Sequence, residues 1–350
     1  MEAAPTGRPY SMISIPRKVA VTGSTGFLGS HLVEVLHAQG YEVNALARDP
    51  EKARKLPQPV TTVIGDICDA AALQSLVEGC EWVFHTVSNF RTTSGPPESY
   101  DAINVDGTQC LLDSAEAASV KRVIHISTIG VHGDVKHTPA DENAPFNPGD
   151  LYQETKLKAE QLAMRAAESG DMEIVIVRPC SMYGPGDLRM LKMFSMLSKG
   201  TFFKVGPCQE NFHAIYISDV IDGLLRVAET PGISGQVFIL GGSDYLPLEE
   251  YIDTAAAAVG AREPRVRLPY WLLISIAWFL EKVCVPLRIE PPLHIRRVRF
   301  FKNNRAFSIS KARQLLHYAP KVALEVGMRR TVSWYRKQGL LPPVTGASHK

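Results

Sequence analysis

A glycine-rich turn directly after an apolar run constrains the fold of this chain more than any other feature. The run KVAVT begins at Lys18 and leads into GSTGFLG from Gly23, after which apolar residues recur with a helical period. Glycine adopts backbone angles closed to other residues and lets two chain segments approach closely. The succession therefore predicts a strand, a tight turn, and a helix whose first N–H groups are free to bind an anion.

The same succession of β-type and helical segments repeats along the chain. The further β-type runs are YEVNALAR, TTVIGD, EWVFHTVS, RVIHIST, EIVIVRP, HAIYISDV and QVFIL. Helical patterns lie between most of them, including DPEKARKL, AALQSLVEG and the segment from Tyr152 to Glu168. Such alternation is typical of parallel sheets built from βαβ units. We therefore predict an α/β protein with a doubly wound, Rossmann-type parallel sheet and a smaller C-terminal substrate lobe.

The order of these runs predicts two interleaved lobes between two flexible tails, residues 1–17 and 342–350. Residues 18–183 and about 213–242 carry the regular alternation and form the predicted dinucleotide-binding domain. Residues about 184–212 and 243–341 have weaker periodicity and form the predicted substrate-binding lobe. In doubly wound folds such a lobe lies over the carboxyl edge of the sheet.

The composition argues against several classes of partner. The 350 residues carry 38 basic and 36 acidic side chains, a net charge of +2, so we predict no nucleic-acid partner despite a basic, aromatic run from Arg296 to Lys302. The six cysteines lie far apart without a CxxC pair, which predicts no metal site and a reduced, cytoplasmic protein. The N-terminal segment has no apolar run of signal length.

The glycine turn is the predicted pyrophosphate site of a dinucleotide. The predicted contacts are Gly23, Thr25, Gly26, Phe27, Leu28 and Gly29. After the second β-type run, the acid that binds an NAD ribose is replaced by Arg48, which favours NADP over NAD because a 2′-phosphate needs a cation. Asp66, next to Ile67, ends the third run, where its carboxylate is expected to bind the adenine or to cap the next helix.

Tyr152 and Lys156 form the predicted catalytic pair. Their spacing puts a phenol and an ammonium on one helix face, and a neighbouring cation lowers the pKa of a phenol. Thr128 stands at the carboxyl end of RVIHIST, where its hydroxyl is placed to hydrogen-bond a substrate oxygen. We therefore expect Tyr152 to act as general acid or base, with Lys156 tuning it and binding a ribose hydroxyl.

Together, these stretches resemble the extended short-chain dehydrogenase/reductase superfamily, in particular 3β-hydroxysteroid dehydrogenases and dihydroflavonol reductases. The resemblance runs from about Lys18 to Leu341. Its motifs are TGSTGFLG, GDI, NVDGT, STIGVHG, YQETK, RPCSMYGPGD, IYISDV and FSISKARQLLHYAP.

The resemblance implies roles for further residues and a homodimer. Asn104 matches an asparagine sometimes assigned to a proton relay, and Pro179 and Ser181 match the segment that passes beside the nicotinamide. The chain departs from the family pattern at His132, where a tyrosine is frequent, and at His85-Thr86-Val87-Ser88. The nicotinamide pocket is therefore expected to differ.

An apolar segment from Leu268 to Leu280 bears on the substrate. It contains no charge, has Pro269 and Pro286 as predicted start and stop signals of a helix, and is too short to cross a bilayer, whose core of about 30 Å needs roughly 20 helical residues. It is interpreted as a buried or subunit-contact helix, a wall of an apolar substrate pocket, or a peripheral membrane contact aided by Arg265, Arg267 and Arg288.

The sequence predicts an NAD(P)-dependent oxidoreductase that interconverts a ketone and a secondary alcohol on an apolar small molecule, such as a steroid, polyketide, flavonoid-like or long-chain oxo compound. Two alternatives stay open. One is a nucleotide-sugar 4-epimerase or dehydratase with retained NAD, although Cys208 to His213 lacks the arginine common in such members. The other is a non-enzymatic dinucleotide-binding sensor or scaffold.

Overall fold

The computed structural model describes residues 18–90, 98–284, 289 and 291–343, so most of the two predicted tails, Pro286 and Arg288 lie outside the described residues. The strands are β1 (Lys18–Thr22), β2 (Glu42–Ala47), β3 (Thr61–Ile64), β4 (Trp82–His85), β5 (Arg122–Ile126), β6 (Glu173–Pro179), β7 (Ser181–Tyr183), β8 (Lys204–Val205), β9 (Asn211–Phe212), β10 (Ala214–Tyr216), β11 (Val237–Leu240), β12 (Leu246–Pro247) and β13 (Arg267–Leu268). The α-helices are α1 (Phe27–Ala38), α2 (Pro50–Ala53), α3 (Ala70–Val77), α4 (Glu98–Asp101), α5 (Gly107–Ala117), α6 (Leu151–Ser169), α7 (Leu191–Ser198), α8 (Ile217–Glu229), α9 (Leu248–Val259), α10 (Tyr270–Cys284), α11 (Ile295–Arg299), α12 (Ser310–Leu316) and α13 (Leu324–Lys337).

Seven strands form one sheet in the order β11-β6-β5-β4-β1-β2-β3. Every neighbouring pair in it is parallel. The chain runs outward from β1 to β3 and then returns to build β4, β5 and β6 on the other side. This confirms the predicted doubly wound, Rossmann-type α/β fold. The strand order reverses between β1 and β4, and ligands of such sheets bind at the carboxyl ends of the strands at that point.

The sheet is buried on both faces, as strand alternation requires. In β1, Val19 and Val21 belong to one core and Ala20 to the other; in β6, Val175 and Ile176 divide in the same way. The first core is covered by α1 and α8 and the second by α3, α5 and α6. Two packed layers of helix therefore hold the carboxyl edge of the sheet rigidly.

The prediction that HAIYISDV forms a strand is wrong for most of its length. Only Ala214–Tyr216 is extended, and it pairs with β7 in a small sheet outside the main one. Ile217 begins α8, in which Val220, Leu224 and Val227 are buried at helical spacing. A short β-branched run fits either period, and here helical packing against the sheet prevails. QVFIL, by contrast, returns to the main sheet as β11 beside β6.

Two other segments also differ from the expected structure. DPEKARKL forms only the short helix α2, whose first turn is capped by Asp49. The basic, aromatic run near the C-terminus, a pattern typical of a solvated strand face, is instead helical over Ile295–Arg299. The α2 segment is largely exposed, whereas α11 buries Val298 against α10.

Helix α10 contains the apolar segment and lies largely on the surface. It starts directly after Pro269 and buries Leu273 and Ala277 in a small separate core with Val205 and Val298. Its opposite side exposes large apolar side chains instead of polar ones. Among the described helices, none combines the length and hydropathy that crossing a bilayer requires.

Candidate functional site

The glycine turn between β1 and α1 has the close contacts that its sequence predicts. Gly23 has φ +68°, and a Cβ there would lie 2.8 Å from the Thr86 hydroxyl oxygen. A Cβ at Gly29 would overlap the Gly23 carbonyl oxygen. The turn therefore accepts no side chain at either position, and its backbone lies directly at the sheet edge.

The start of α1 is open to an anion. Gly26 is the N-cap residue and has no side chain to bond the first N–H groups, and the first turn carries no acidic residue. Thr25 and Phe27 are half-buried, Gly26 is exposed, and Leu28 is buried. Unbonded N–H groups and the partial positive charge of the helix favour a phosphate. The residues present therefore fit a dinucleotide.

Arg48 and Asp66 meet beyond the ends of β2 and β3. A guanidinium nitrogen of Arg48 lies 3.8 Å from a carboxylate oxygen of Asp66, and the Arg48 side chain is 69% exposed. Neighbouring Ile67 is buried and packs against Gly107. The cation is therefore accessible, although a carboxylate shares it.

Asp66 does not cap the helix that follows it, so that alternative is wrong. Asp69 caps α3 by accepting from the N–H groups of Ala71 and Ala72. Asp66 instead accepts from the Cys68 N–H at 3.2 Å. Asp66 lies three residues before the N-cap residue Asp69, which explains the difference, because an N-cap side chain reaches only the first turn.

Tyr152 and Thr128 come together at the carboxyl end of β5. Thr128 stands two residues after the end of the strand, and Tyr152 stands in the first turn of α6, which packs on the sheet. The side chains of Thr128 and Ser88 face the phenol and lower its pKa through hydrogen bonding. The Phe90 ring packs edge-on against the Tyr152 ring at 4.8 Å between centroids.

Lys156 lies one helical turn further on and is fully enclosed. Its side chain is 2% exposed, and its Nζ donates to the Ile126 carbonyl oxygen at 2.6 Å. Desolvation lowers the pKa of Lys156 to about 8, although the charge of Glu160 opposes this. The ammonium is thus held beneath the site by a backbone carbonyl of β5.

The pKa of Tyr152 differs from the expectation drawn from the sequence. Burial raises it above the ordinary value, and the hydrogen bond from Ser88, the charge of Arg189 and the hydrogen bond from Thr128 only oppose that effect. Lys156 is not among the groups with the largest effects on this pKa. The predicted lowering by Lys156 is therefore wrong for this structure, because desolvation of the phenolate outweighs the nearby cations.

Asn104 is buried next to the catalytic helix, in a π-helical turn over Ala102–Asp106. Its amide nitrogen donates to the Thr155 hydroxyl at 2.9 Å, and its amide oxygen accepts from the Asn89 N–H at 2.7 Å. Asn104 therefore connects α6 to the segment that carries Ser88 and Phe90. π-turns of this kind are frequent at functional sites.

Pro179 and Ser181 flank the link between β6 and β7. Pro179 is buried at the end of the main sheet, and the Ser181 N–H donates to the His213 carbonyl oxygen at 3.0 Å. Between them, Cys180 is 3% exposed, and burial raises the pKa of its thiol well above the usual value. A thiol in this state is a packing group and a poor nucleophile.

Sequence reasoning missed a buried ion pair behind the site. Arg178, 2% exposed, forms an ion pair with Glu160 of α6, which also accepts from the Ser127 hydroxyl. An Nη1 hydrogen bond joins Arg178 to His132 Nε2 at 2.9 Å, and His132 Nδ1 bonds the Pro145 carbonyl oxygen at 3.2 Å. The sequence signal that could have indicated a buried ion pair is the arginine at the end of the apolar strand EIVIVRP.

Two aligned histidines were also missed. His85 and His125 occupy the same register of β4 and β5, with ring centroids 5.2 Å apart. His85 bonds the hydroxyls of Thr22 and Thr108, and burial together with the Lys156 charge lowers its pKa to about 3. Neither ring nitrogen of His125 has a hydrogen-bond partner among the described residues.

Comparison with known proteins finds a family match over the part of the chain that contains the main sheet and the candidate site. Residues 19–241 match the model of the NAD dependent epimerase/dehydratase family. A protein named putative dihydroflavonol 4-reductase from Synechocystis sp. is 29% identical over 91% of this chain and 94% of its own. A 3-beta-hydroxysteroid dehydrogenase from Mycolicibacterium neoaurum is 29% identical over 94% of this chain and 96% of its own.

A solved structure extends the similarity to three dimensions. The crystal structure of gox2253 superimposes with a TM-score of 0.79 at 26% identity, covering 93% of this chain and all of that one. Its overlap therefore includes both the main sheet and most of the C-terminal lobe.

Proposed function

Since the chain belongs to the NAD dependent epimerase/dehydratase family, we propose that it interconverts a ketone and a secondary alcohol on an apolar small molecule. The extended short-chain dehydrogenase/reductase resemblance is thereby confirmed, and the protein is an NAD-dependent oxidoreductase. The convergence of Tyr152, Thr128 and Lys156 beside the glycine turn carries the proposal.

In this proposal the bound dinucleotide supplies or accepts the hydride, and the side chains of the protein handle the proton. Tyr152 gives its phenolic proton to the substrate oxygen in reduction and removes it in oxidation. Thr128 holds that oxygen by a hydrogen bond, and Lys156 binds a ribose hydroxyl. Burial raises the pKa of the Tyr152 phenol, so at neutral pH the phenol carries the proton that reduction of a ketone requires.

The test is Tyr152→Phe, assayed with NADH or NADPH and a panel of 3-oxosteroids and other apolar ketones. Loss of a positioned proton donor is expected to lower kcat by about 10²- to 10⁴-fold without changing NADH affinity. Tyr245→Phe, at a partly exposed tyrosine, is the matched control. Turnover by Tyr152→Phe at the wild-type rate refutes the assignment.

Several observations support an apolar substrate. Phe90 covers Tyr152, and Leu188, in the segment that leads to α7, is 59% exposed. Cys208, Phe212 and His213 are buried, in the stretch where nucleotide-sugar members commonly carry an arginine. The two curated relatives are named for a steroid and a flavonoid substrate. A protein that binds UDP-glucose more tightly than a steroid contradicts this part.

The exposed guanidinium of Arg48 supports NADP as the preferred dinucleotide. A 2′-phosphate placed against Arg48 gains a charge-assisted hydrogen bond, whereas the neighbouring Asp66 repels it. Arg48→Asp is therefore expected to reverse an NADPH preference in calorimetric titrations. Equal affinities of wild type and variant for NADPH contradict the role.

We further propose that α10 contacts the surface of an anionic membrane. Seven of the thirteen exposed large apolar side chains in the described chain are Val266, Trp271, Ile276, Trp278, Phe279, Val283 and Ile289. Lys282 lies on the helix, Lys302 Nζ is 4.7 Å from the centroid of the Tyr270 ring, and the exposed residues Arg265, Arg299 and Glu263 are close in sequence. An amphipathic surface with aromatic residues and basic neighbours suits the lipid interface.

Vesicle sedimentation tests the membrane contact. Trp278→Ser/Phe279→Ser is expected to abolish binding to phosphatidylserine vesicles, while Leu315→Ser/Leu340→Ser, at exposed apolar sites on other elements, retains it. If the wild-type protein stays in the supernatant but dimerises through α10, the segment is a subunit contact and the membrane proposal fails.

A homodimer and a cytoplasmic location complete the proposal. The dimer rests on the superfamily resemblance, and sedimentation velocity of the purified chain measures it. The cytoplasm is supported by six cysteines that are all free thiols in the structure.

A further inference from the structure

The segment between β7 and α7 lies against the start of α1. Gly186 has φ +91°, and a Cβ there would lie 3.4 Å from His31 and 3.6 Å from Phe27, both on the first turns of α1. The segment is also tied to the C-terminal helix α13, because the Tyr335 hydroxyl donates to the Asp187 carbonyl oxygen. It is therefore a fixed neighbour of the dinucleotide turn.

This segment carries a cation in a rigid setting. Arg189 donates from Nε to Asp187 Oδ1 at 2.7 Å and from Nη2 to Asp187 Oδ2 at 3.1 Å. Nη2 also donates to the Met182 carbonyl oxygen at 2.8 Å. Asp187 itself is 1% exposed, so the pair is anchored in the core. A guanidinium held in this way loses little freedom when it binds a ligand.

One edge of the Arg189 guanidinium is free. Nη1 has no hydrogen-bond partner among the described residues, and the side chain remains 31% exposed. A guanidinium has five N–H donors, and in proteins they commonly bind carboxylate or phosphate oxygens. The Nη1 donors are therefore available to an anion from outside the protein.

The aromatic neighbours of Arg189 show where that anion would lie. Cζ of Arg189 is 5.3 Å from the centroid of the Phe27 ring and 5.8 Å from that of Phe90. Phe27 is the first residue of α1, and Phe90 packs against Tyr152. Arg189 thus stands between the dinucleotide turn and the catalytic tyrosine.

We propose that Arg189 binds an oxygen of the dinucleotide pyrophosphate. The guanidinium of the predicted substrate lobe and the start of α1 would then bind the same group. This rests on the proposed function, because it assigns one more contact to the same dinucleotide. Two positive features then converge: the uncapped N–H groups of α1 and the free edge of a guanidinium. Asp187 positions Arg189 and does not touch the ligand.

The experiment is calorimetric titration of wild type and Arg189→Gln with NADH, ADP-ribose and adenosine. ADP-ribose contains the pyrophosphate but no nicotinamide, and adenosine contains neither. Arg189→Gln is expected to weaken NADH and ADP-ribose binding by about ten- to hundredfold, as for loss of a charge-assisted hydrogen bond, and to leave adenosine binding unchanged.

Arg226→Gln is the matched control. Arg226 is also paired with an aspartate, Asp222, at 2.6 Å, donates to a backbone carbonyl, and is 32% exposed, but it lies on α8. It is expected to bind all three ligands as the wild type does.

Arg189→Gln leaves the buried Asp187 carboxylate unpaired, so Asp187→Asn/Arg189→Gln is measured beside it. The double variant removes both charges and is expected to show the same loss of ADP-ribose binding with wild-type thermal unfolding. Wild-type affinity for ADP-ribose in either folded variant overturns the proposal. If the wild type itself binds neither NADH nor ADP-ribose, the proposed function has failed instead.

Discussion

Replacement of Lys156 by methionine tests how much stability the fold gives up for a buried ammonium. Lys156 is 2% exposed, and its one hydrogen bond is to the Ile126 carbonyl oxygen. Desolvation lowers its pKa from 10.5 to about 8. The unfolded chain therefore holds this proton more tightly than the folded chain does.

The pKa difference fixes the size and sign of the effect. One pKa unit corresponds to about 1.4 kcal/mol, so a charged Lys156 destabilises the fold by about 3 kcal/mol below pH 8. The penalty shrinks as pH rises from about 8 toward 10.5, where the unfolded chain also loses the proton. Methionine removes the penalty but leaves the Ile126 carbonyl without its donor, which costs about 1–2 kcal/mol.

Lys156→Met is therefore expected to be more stable than wild type by about 1–2 kcal/mol at pH 7, and to lose that advantage by about pH 10. Denaturant titrations at both pH values measure this, and ketone reduction measures the accompanying loss of activity. Lys158→Met is the control on the same helix, because Lys158 is exposed and Asp101 raises its pKa.

Two results refute this reasoning. One is a Lys156→Met protein that is less stable than wild type at pH 7. The other is a stability difference that stays the same between pH 7 and pH 10, since that excludes a titrating lysine as its source. A variant that is more stable but fully active would agree with the electrostatic argument and would show that Lys156 has no role in the reaction.

Three further predictions follow from the same structure. Gly29→Ala should weaken NADH binding at least about tenfold, because its Cβ overlaps Gly23 and moves the N–H groups of α1, whereas Gly170→Ala, with only ordinary contacts, should bind like wild type in calorimetry. Arg178→Met should lower the free energy of unfolding by about 3–5 kcal/mol in denaturant titrations, because it leaves the Glu160 carboxylate buried without its cation. Cys180 should resist iodoacetamide in the native protein at pH 8 and react in guanidinium chloride, as peptide mass mapping will show.

The sequence predicted the elements whose rules are local. The turn from Gly23 to Gly29 is specified by glycines that the structure needs, and each main-sheet strand up to β6, except the edge strand β3, is an apolar run with buried residues on both faces. HAIYISDV failed because a short β-branched run does not distinguish a strand from a buried helix. The exposure of α10 could not be predicted from its composition either, because a helix that is apolar all round is usually buried.

Contacts that join distant segments were beyond sequence reasoning. Arg178 and Glu160 are 18 residues apart, and nothing in either local pattern announces their ion pair. Ser88 and Arg189 reach the phenol of Tyr152 from irregular segments that have no periodicity to interpret. The net pKa of Tyr152 was mispredicted for the same reason, because the sequence shows the neighbouring lysine but not how far the phenol is removed from water.

Two unfavourable buried groups of this fold, Lys156 and His125, lie on neighbouring elements that also carry site residues. Lys156 is charged without a carboxylate bonded to it, and His125 has no partner for either ring nitrogen among the described residues. His125 stays neutral because burial and the Lys156 charge hold its pKa well below the usual value. Buried polar groups in stable proteins are normally satisfied, so exceptions mark places where another requirement prevails. His125 lies on β5, which leads to Thr128, and Lys156 lies on α6 one turn after Tyr152, so both groups belong to the elements that carry the catalytic motifs.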